Sequence, residues 1–217
     1  MSDQGLLTFV QWMSPAFPVG GYAYSQGLEW AITAGDVTDA AGLAAWLDAV
    51  LRYGAIRADA IVLAQALRPD TDLAGLAEFA CALAPGRERL TETLEQGRAF
   101  GLTAQALTGG GIAATAGEAM PYPVAVGAAA RGLGLAPQRV VALFLQSVLG
   151  NLVQVAVRFV PLGQTEGQQV LAGLTGAIES VAAGAVETGL ADIGGAGVRA
   201  DIAGLKHEEM DVRIYRT

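Results

Sequence analysis

Lysine, histidine and cysteine occur once each in this chain of 217 residues, as Lys206, His207 and Cys81. A lone cysteine excludes an intrachain disulfide and accords with a reducing compartment. With one histidine and one cysteine far apart in sequence, a closed His/Cys metal cage cannot be assembled within one copy of the chain. Charge is scarce as well, at 16% of residues with a net −8, so the basic surface that sequence-independent nucleic-acid binding requires is missing. The start, Met-Ser-Asp-Gln-Gly, lacks the basic stretch and apolar run of a secretory signal, and a cytoplasmic protein is expected. No sustained alternation of apolar and polar side chains is visible, which argues against strands.

What the chain does have is hydrophobic side chains, 53% of the total, enough for one sizeable core and far from the signature of disorder. Its most distinctive stretch is Ser14 to Glu29, Ser-Pro-Ala-Phe-Pro-Val-Gly-Gly-Tyr-Ala-Tyr-Ser-Gln-Gly-Leu-Glu. Two prolines fix φ and remove backbone donors, and the Gly-Gly pair takes angles closed to other residues, so this is a shaped loop. Its aromatics, Phe17, Tyr22 and Tyr24, either fill core space or serve a surface; residue physics alone favours the core.

Around that loop the apolar spacing is helical. A short segment precedes it, from Leu6 to Met13, and another follows, beginning at Ser25 or Gln26 and ending before Gly35. Leu43, Trp46, Leu47, Val50 and Leu51 mark an amphipathic helix capped by Thr38 or Asp39, and the pattern resumes past Gly54 as far as Pro69. The segment from Leu73 to Leu83 carries Cys81 as an expected small core residue. Arg87 to Leu107 is the most charged helix, its Arg87, Glu88, Arg89, Glu92, Glu95 and Arg98 read as a solvated face, with a seam that becomes small at Gly97 and Gly101.

The glycine-rich run 109–120 reads as a mobile loop. Val140 to Val157 carries no charge, but Ser147, Asn151 and Gln154 share one helical face, so it is expected to be a buried helix and no membrane span, with apolar surface to spare for a dimer interface. The whole predicts an all-α fold, a single-domain helical bundle over 1–217 of about eight to ten helices. The tail, 198–217, is richer in charge and ends Arg-Ile-Tyr-Arg-Thr, a composition that suits a partner-binding segment or one that folds back on its own chain.

Two chemistries are weighed. Ala23-Tyr24-Ser25-Gln26-Gly27 is one residue away from a nucleophile elbow, and Ser25, Asp201 and His207 fall in the order of a serine hydrolase triad; against this, no strand precedes the serine, which suits a helix cap better. His207-Glu208-Glu209 could hold a metal only loosely, and no phosphate-binding loop exists, because the one lysine follows Leu205. No metal site, cofactor or catalytic residue is therefore assigned.

Phe-Pro-Val-Gly-Gly-Tyr-Ala-Tyr-Ser-Gln-Gly-Leu-Glu, preceded by Ser-Pro, resembles the N-terminal signature of UreF-type urease accessory proteins. Further blocks are similar in the same order: Arg87, Thr93, Gly97 and Arg98; Tyr122-Pro-Val; Arg158-Phe-Val-Pro-Leu-Gly-Gln164; Ala200-Asp-Ile; His207-Glu208; and Arg213-Ile-Tyr-Arg-Thr217. Departures are mild, with Phe17 for a frequent Leu, Glu209 for Thr, Tyr215 for Phe and Thr217 for Ser.

The resemblance implies a non-enzymatic, dimerising scaffold or chaperone in nickel insertion. Such a protein binds a D/H-type accessory protein and with it recruits and regulates a G-type GTPase on apo-urease, as activator or as fidelity check. Carried onto this chain, it makes Tyr24, Ser25, Gln26, Glu29 and Arg213 candidates for the GTPase-facing surface. The tail, with His207, Glu208, Tyr215 and Arg216, becomes the candidate for the D/H contact.

Overall fold

The helical spacings resolve into eleven α-helices among the residues that the computed structural model describes, 3–108 and 120–217, and no strand occurs among them. They are α1 (Asp3–Trp12), α2 (Leu28–Thr33), α3 (Ala40–Tyr53), α4 (Ala55–Ala66), α5 (Leu73–Ala82), α6 (Arg87–Thr108), α7 (Tyr122–Ala130), α8 (Pro137–Phe159), α9 (Gln164–Gly173), α10 (Thr175–Glu187) and α11 (Val198–His207). The expected all-α bundle is thus present. Its helices are more numerous because the chain breaks at Gly54 and again at Leu174, where helical periodicity continues across the interruption. The loop expected to be mobile lies, but for Met120, outside the described residues.

Helices α4 and α8 form the centre. α4 packs against α3, α5, α7, α8 and α10, and α8 against α2, α3, α9 and α10. This explains their sequences: the last seven residues of α4, Ala60 to Ala66, are all buried, a pattern expected of a helix surrounded on every side. α8 is long and apolar enough to cross a membrane, but its buried residues face this bundle. α5 is peripheral, with only Leu76 fully buried, so Cys81 is a half-buried surface thiol and not the core residue its apolar neighbours suggested.

An aromatic chain ties the N-terminal segment to the bundle. Trp12 meets Phe100 edge-on at 5.5 Å, Phe100 meets Tyr122 at 5.9 Å, and Phe17 from the proline-rich loop leans on Phe100 at 5.7 Å. Offset and edge-on ring pairs contribute about 0.5–1.5 kcal/mol beyond the area they bury. Phe17 and Tyr24 are buried, and Tyr22 is exposed. The small seam of α6 has a specific use: a Cβ at Gly97 would collide with the carbonyl oxygen of Met120, so α6 lets the chain entering α7 cross at backbone contact.

Candidate functional site

The proline-rich loop is held in place from below by α8. The Ser147 hydroxyl donates to the Met13 carbonyl at 2.8 Å, and the Asn151 amide donates to the Gly21 carbonyl at 2.5 Å. The polar stripe that interrupts the apolar run of α8 therefore fixes the loop. From there the chain makes a single 3-10 turn, Gly21–Ala23, and reaches Gln26 and Gly27, both with positive φ. A left-handed non-glycine residue such as Gln26 is uncommon and is retained only where its surroundings hold it. At Gly27 a Cβ would stand 2.6 Å from the Gly204 nitrogen, so the residue entering α2 must be glycine for α11 to lie against it.

The tail then returns across this loop. Ser25 N–H donates to the Thr217 carbonyl at 2.8 Å, the Ser25 hydroxyl donates to the same oxygen, and Arg216 N–H donates to the Ala23 carbonyl at 2.8 Å. Glu29 is the hub. One carboxylate oxygen accepts Ile214 N–H at 2.9 Å, and the other accepts Tyr215 N–H at 2.9 Å and faces His207 Nε2 at 3.0 Å. Burial alone pushes the Glu29 carboxyl up, but the His207 bond and the two tail amides outweigh it and hold the group below its ordinary value.

A third element completes the clasp. On α6, Glu88, Glu92 and Glu95 lie at spacings of four and three, one helical stripe. Glu88 faces His207 Nδ1 at 2.7 Å and pairs with Arg213. Glu92, 1% exposed, accepts from Gln26 Nε2 at 2.9 Å and from the Thr217 hydroxyl at 3.1 Å. Glu95 accepts the Tyr24 hydroxyl at 2.5 Å and pairs with Arg216 at 2.7 Å, whose guanidinium also lies 5.4 Å from the centre of the Tyr24 ring.

Burial and the Glu95 bond push the Tyr24 phenol up, and the Tyr24 and Arg216 bonds pull Glu95 down. Behind them Arg89 pairs with Asp59 and lies 3.6 Å from Glu92. Of the α6 charges read as a solvated face, Glu88, Arg89 and Glu92 are thus withdrawn from solvent, whereas Arg87, Glu95 and Arg98 remain exposed. The signal was present in the Glu88, Glu92, Glu95 stripe, but spacing alone does not say what lies opposite.

Tyr24, Ser25, Gln26, Glu29, His207, Glu208, Arg213, Tyr215 and Arg216 all come together here. Glu208 joins by accepting the Glu88 N–H at 2.9 Å. Their exposure differs sharply. Ser25, Glu29 and His207 are sealed inside, Tyr24 and Tyr215 are buried, and the Arg213 and Arg216 side chains are 37% and 56% exposed. The tail folds back on its own chain.

The serine hydrolase alternative is corrected by this arrangement. The Ser25 hydroxyl is directed to the Thr217 carbonyl, and both nitrogens of His207 face carboxylates, Glu29 and Glu88, so neither is free to take a proton from Ser25. Asp201 has no bond to His207 among the described residues. Ser25 does act locally as a helix-capping acceptor, taking the Glu29 N–H at 3.3 Å. Among the described residues no group of three or more His, Cys, Asp and Glu side chains is arranged to hold a metal ion.

Comparison with known proteins gives one consistent picture. The UreF family profile matches residues 37–175. The urease accessory protein UreF of Cereibacter sphaeroides is 51% identical across 99% of this chain and 100% of its own length. That of Jannaschia sp. is 52% identical across 98% of this chain and 94% of its own, and that of Bradyrhizobium diazoefficiens is 44% identical across 98% and 91%. The family profile spans the helical body, and the full-length likenesses extend over the loop and the tail.

Proposed function

The chain belongs to the UreF family of urease accessory proteins, and from that membership we propose that it is a non-enzymatic scaffold in nickel-dependent urease maturation. In this reading it works in the cytoplasm as a homodimer, binds the D/H-type accessory protein through the tail 198–217, and with it brings the G-type GTPase to apo-urease. Nickel is the cargo of that assembly, not a resident of this chain.

The observation that carries the reading is the clasp itself. Glu29 takes the tail amides at Ile214 and Tyr215, and this fixes Arg213 and Arg216 at the surface on either side of the two anchored amides. The burial pattern supports a division of labour. Ser25, Glu29, His207 and Tyr215 hold the segment, and Arg213, Arg216 and the exposed Val212 and Ile214 offer contacts. Arginines presented from a fixed backbone are frequent interface anchors, because little freedom is left to lose on binding. A scaffold of this kind regulates a GTPase by binding one nucleotide state better than another.

The test is co-purification of the full chain with its host's D/H-type protein and GTPase, wild type against Arg213→Ala. Among the described residues Arg213 is bonded only to Glu88, and it is partly exposed, so the variant is expected to fold normally and to retain the GTPase poorly. Equal retention by a folded Arg213→Ala chain removes Arg213 from the interface, and failure of the wild type to retain either partner removes the scaffold role.

A further inference from the structure

Between α3, the start of α4, the Pro85-Gly86 turn and α11 lies a cavity of about 50 Å³, bordered on one side by the clasp residues Gln26, Glu88, Glu208 and Thr217. Its walls are mainly apolar, with Trp46, Val50, Ile56, Leu152 and Leu205 among them. At ~10–15 Å³ for an enclosed water, the space suits a slender chain and not a folded cofactor.

The charged groups along its wall are almost all committed. Glu88 serves His207 and Arg213, Glu208 serves the Glu88 N–H and lies 3.7 Å from Arg87, and the charge of Arg89 is balanced by Asp59 and Glu92, although its buried Nη1 makes no hydrogen bond among the described residues. Asp201 differs: among the described residues its carboxylate has neither a hydrogen bond nor an ion-pair partner. Burial pushes its carboxyl above the ordinary value, as expected of a carboxylate set in an apolar wall without a counter-charge.

The complement of an apolar shaft with one unpaired carboxylate is an aliphatic stem that ends in a cation, and the indole of Trp46 adds an aromatic wall for it. The surroundings identify the carrier. Leu205 lies both in the cavity wall and at the end of a row on α11, Val198, Ile202 and Leu205, at spacings of four and three and 62%, 48% and 47% exposed. A small free cation would leave that row bare, whereas a polypeptide that inserts one side chain would cover it.

We propose that this cavity is the anchor site for an arginine or lysine side chain of a partner protein, with the partner's adjacent apolar side chains covering Ile202 and Val198. Asp201 supplies the counter-charge, and the apolar wall takes the stem. The inference stands on the cavity and on the row beside it, independently of the partners named above.

The probe is an acetylated and amidated leucyl-arginyl-leucine peptide, titrated calorimetrically into the full chain. It is compared with the same peptide carrying neutral citrulline and with agmatine, a free alkylguanidinium. Binding of the arginine peptide is expected, with at least about tenfold weakening for citrulline, for Asp201→Asn, and for agmatine. Ile202→Ser, at an exposed position, should weaken the peptide but not agmatine.

Equal affinity for the citrulline peptide, or an unchanged Asp201→Asn variant, overturns the charge assignment. Agmatine binding as tightly as the peptide overturns the protein source, and no binding by any probe at millimolar concentration overturns the site. Should Asp201→Asn fail to fold, the arginine and citrulline peptides on the wild-type chain still decide the matter.

Discussion

The Tyr215 backbone N–H donates to the Glu29 carboxylate at 2.9 Å, across a separation of nearly the whole chain. The same carboxylate receives Ile214 and faces His207, so a single side chain at the start of α2 organises both the end of α11 and the tail beyond it. Glu29→Gln keeps the shape, removes the charge and presents an amide N–H to donors. It is expected to cost about 3 kcal/mol, since a buried acceptor of charge-assisted bonds is lost. Urea unfolding should read that loss, and hydrogen exchange should show the Ile214 and Tyr215 amides exchanging faster in the variant than in the wild type.

The same carboxylate gives the protein a pH signature. Its folded-state value lies below its ordinary value of 4.5, so Glu29 contributes stability that is fully present above that value and is lost as pH falls through the lower folded one. The stability difference between wild type and Glu29→Gln should therefore shrink as pH falls below the ordinary glutamate value. A gap that stays constant into strong acid contradicts the depressed value.

Gly97 and Gly27 are each required by backbone contact. Gly97→Ala drives a methyl into the Met120 carbonyl, and Gly27→Ala combines positive φ with the α11 backbone at 2.6 Å. Neither neighbour is a flexible side chain, so each substitution is expected to cost about 3 kcal/mol, at the upper end of overpacking. Thermal unfolding tests both. Gly27→Ala should in addition expose α11 to limited proteolysis, whereas Gly97→Ala should act on α6 and α7.

The polar stripe of α8 is predicted to anchor the loop more than the helix. Asn151→Leu removes the bond to the Gly21 carbonyl, which among the described residues keeps only the Tyr24 N–H at 3.2 Å, an expected loss of about 1 kcal/mol. Hydrogen exchange should localise the loosening to residues around 20–27 while the amides of α8 stay protected. Loosening of α8 instead would show that the stripe serves the helix.

Much of this fold could be read from periodicity, because helix spacing and caps are local properties. The Asp39 side chain accepts the Gly42 N–H at 2.8 Å, one of the two caps that the sequence suggested, and Pro137 sits in the first turn of α8. What local pattern cannot state is what lies opposite a stripe. The α6 carboxylates carried the spacing of a solvated face and face the tail instead, because Arg213, Arg216 and His207 arrive from the far end of the chain to balance them. Likewise Ser147 and Asn151 gave no sign of their partners at Met13 and Gly21, and Cys81 sits in an apolar helix that the bundle leaves at its edge. The residues of the loop and the tail stood out by resemblance, and their mutual contact is a long-range fact that only the fold supplies.

The most direct test of the account is retention of the D/H-type protein and the GTPase by full-length Glu29→Gln, compared with wild type under conditions where the variant remains folded. If the clasped tail is the surface that partners read, the variant should retain them at least about tenfold less well, because the segment must be ordered again at the moment of binding. Undiminished retention by a folded Glu29→Gln chain whose tail amides exchange freely would contradict the account.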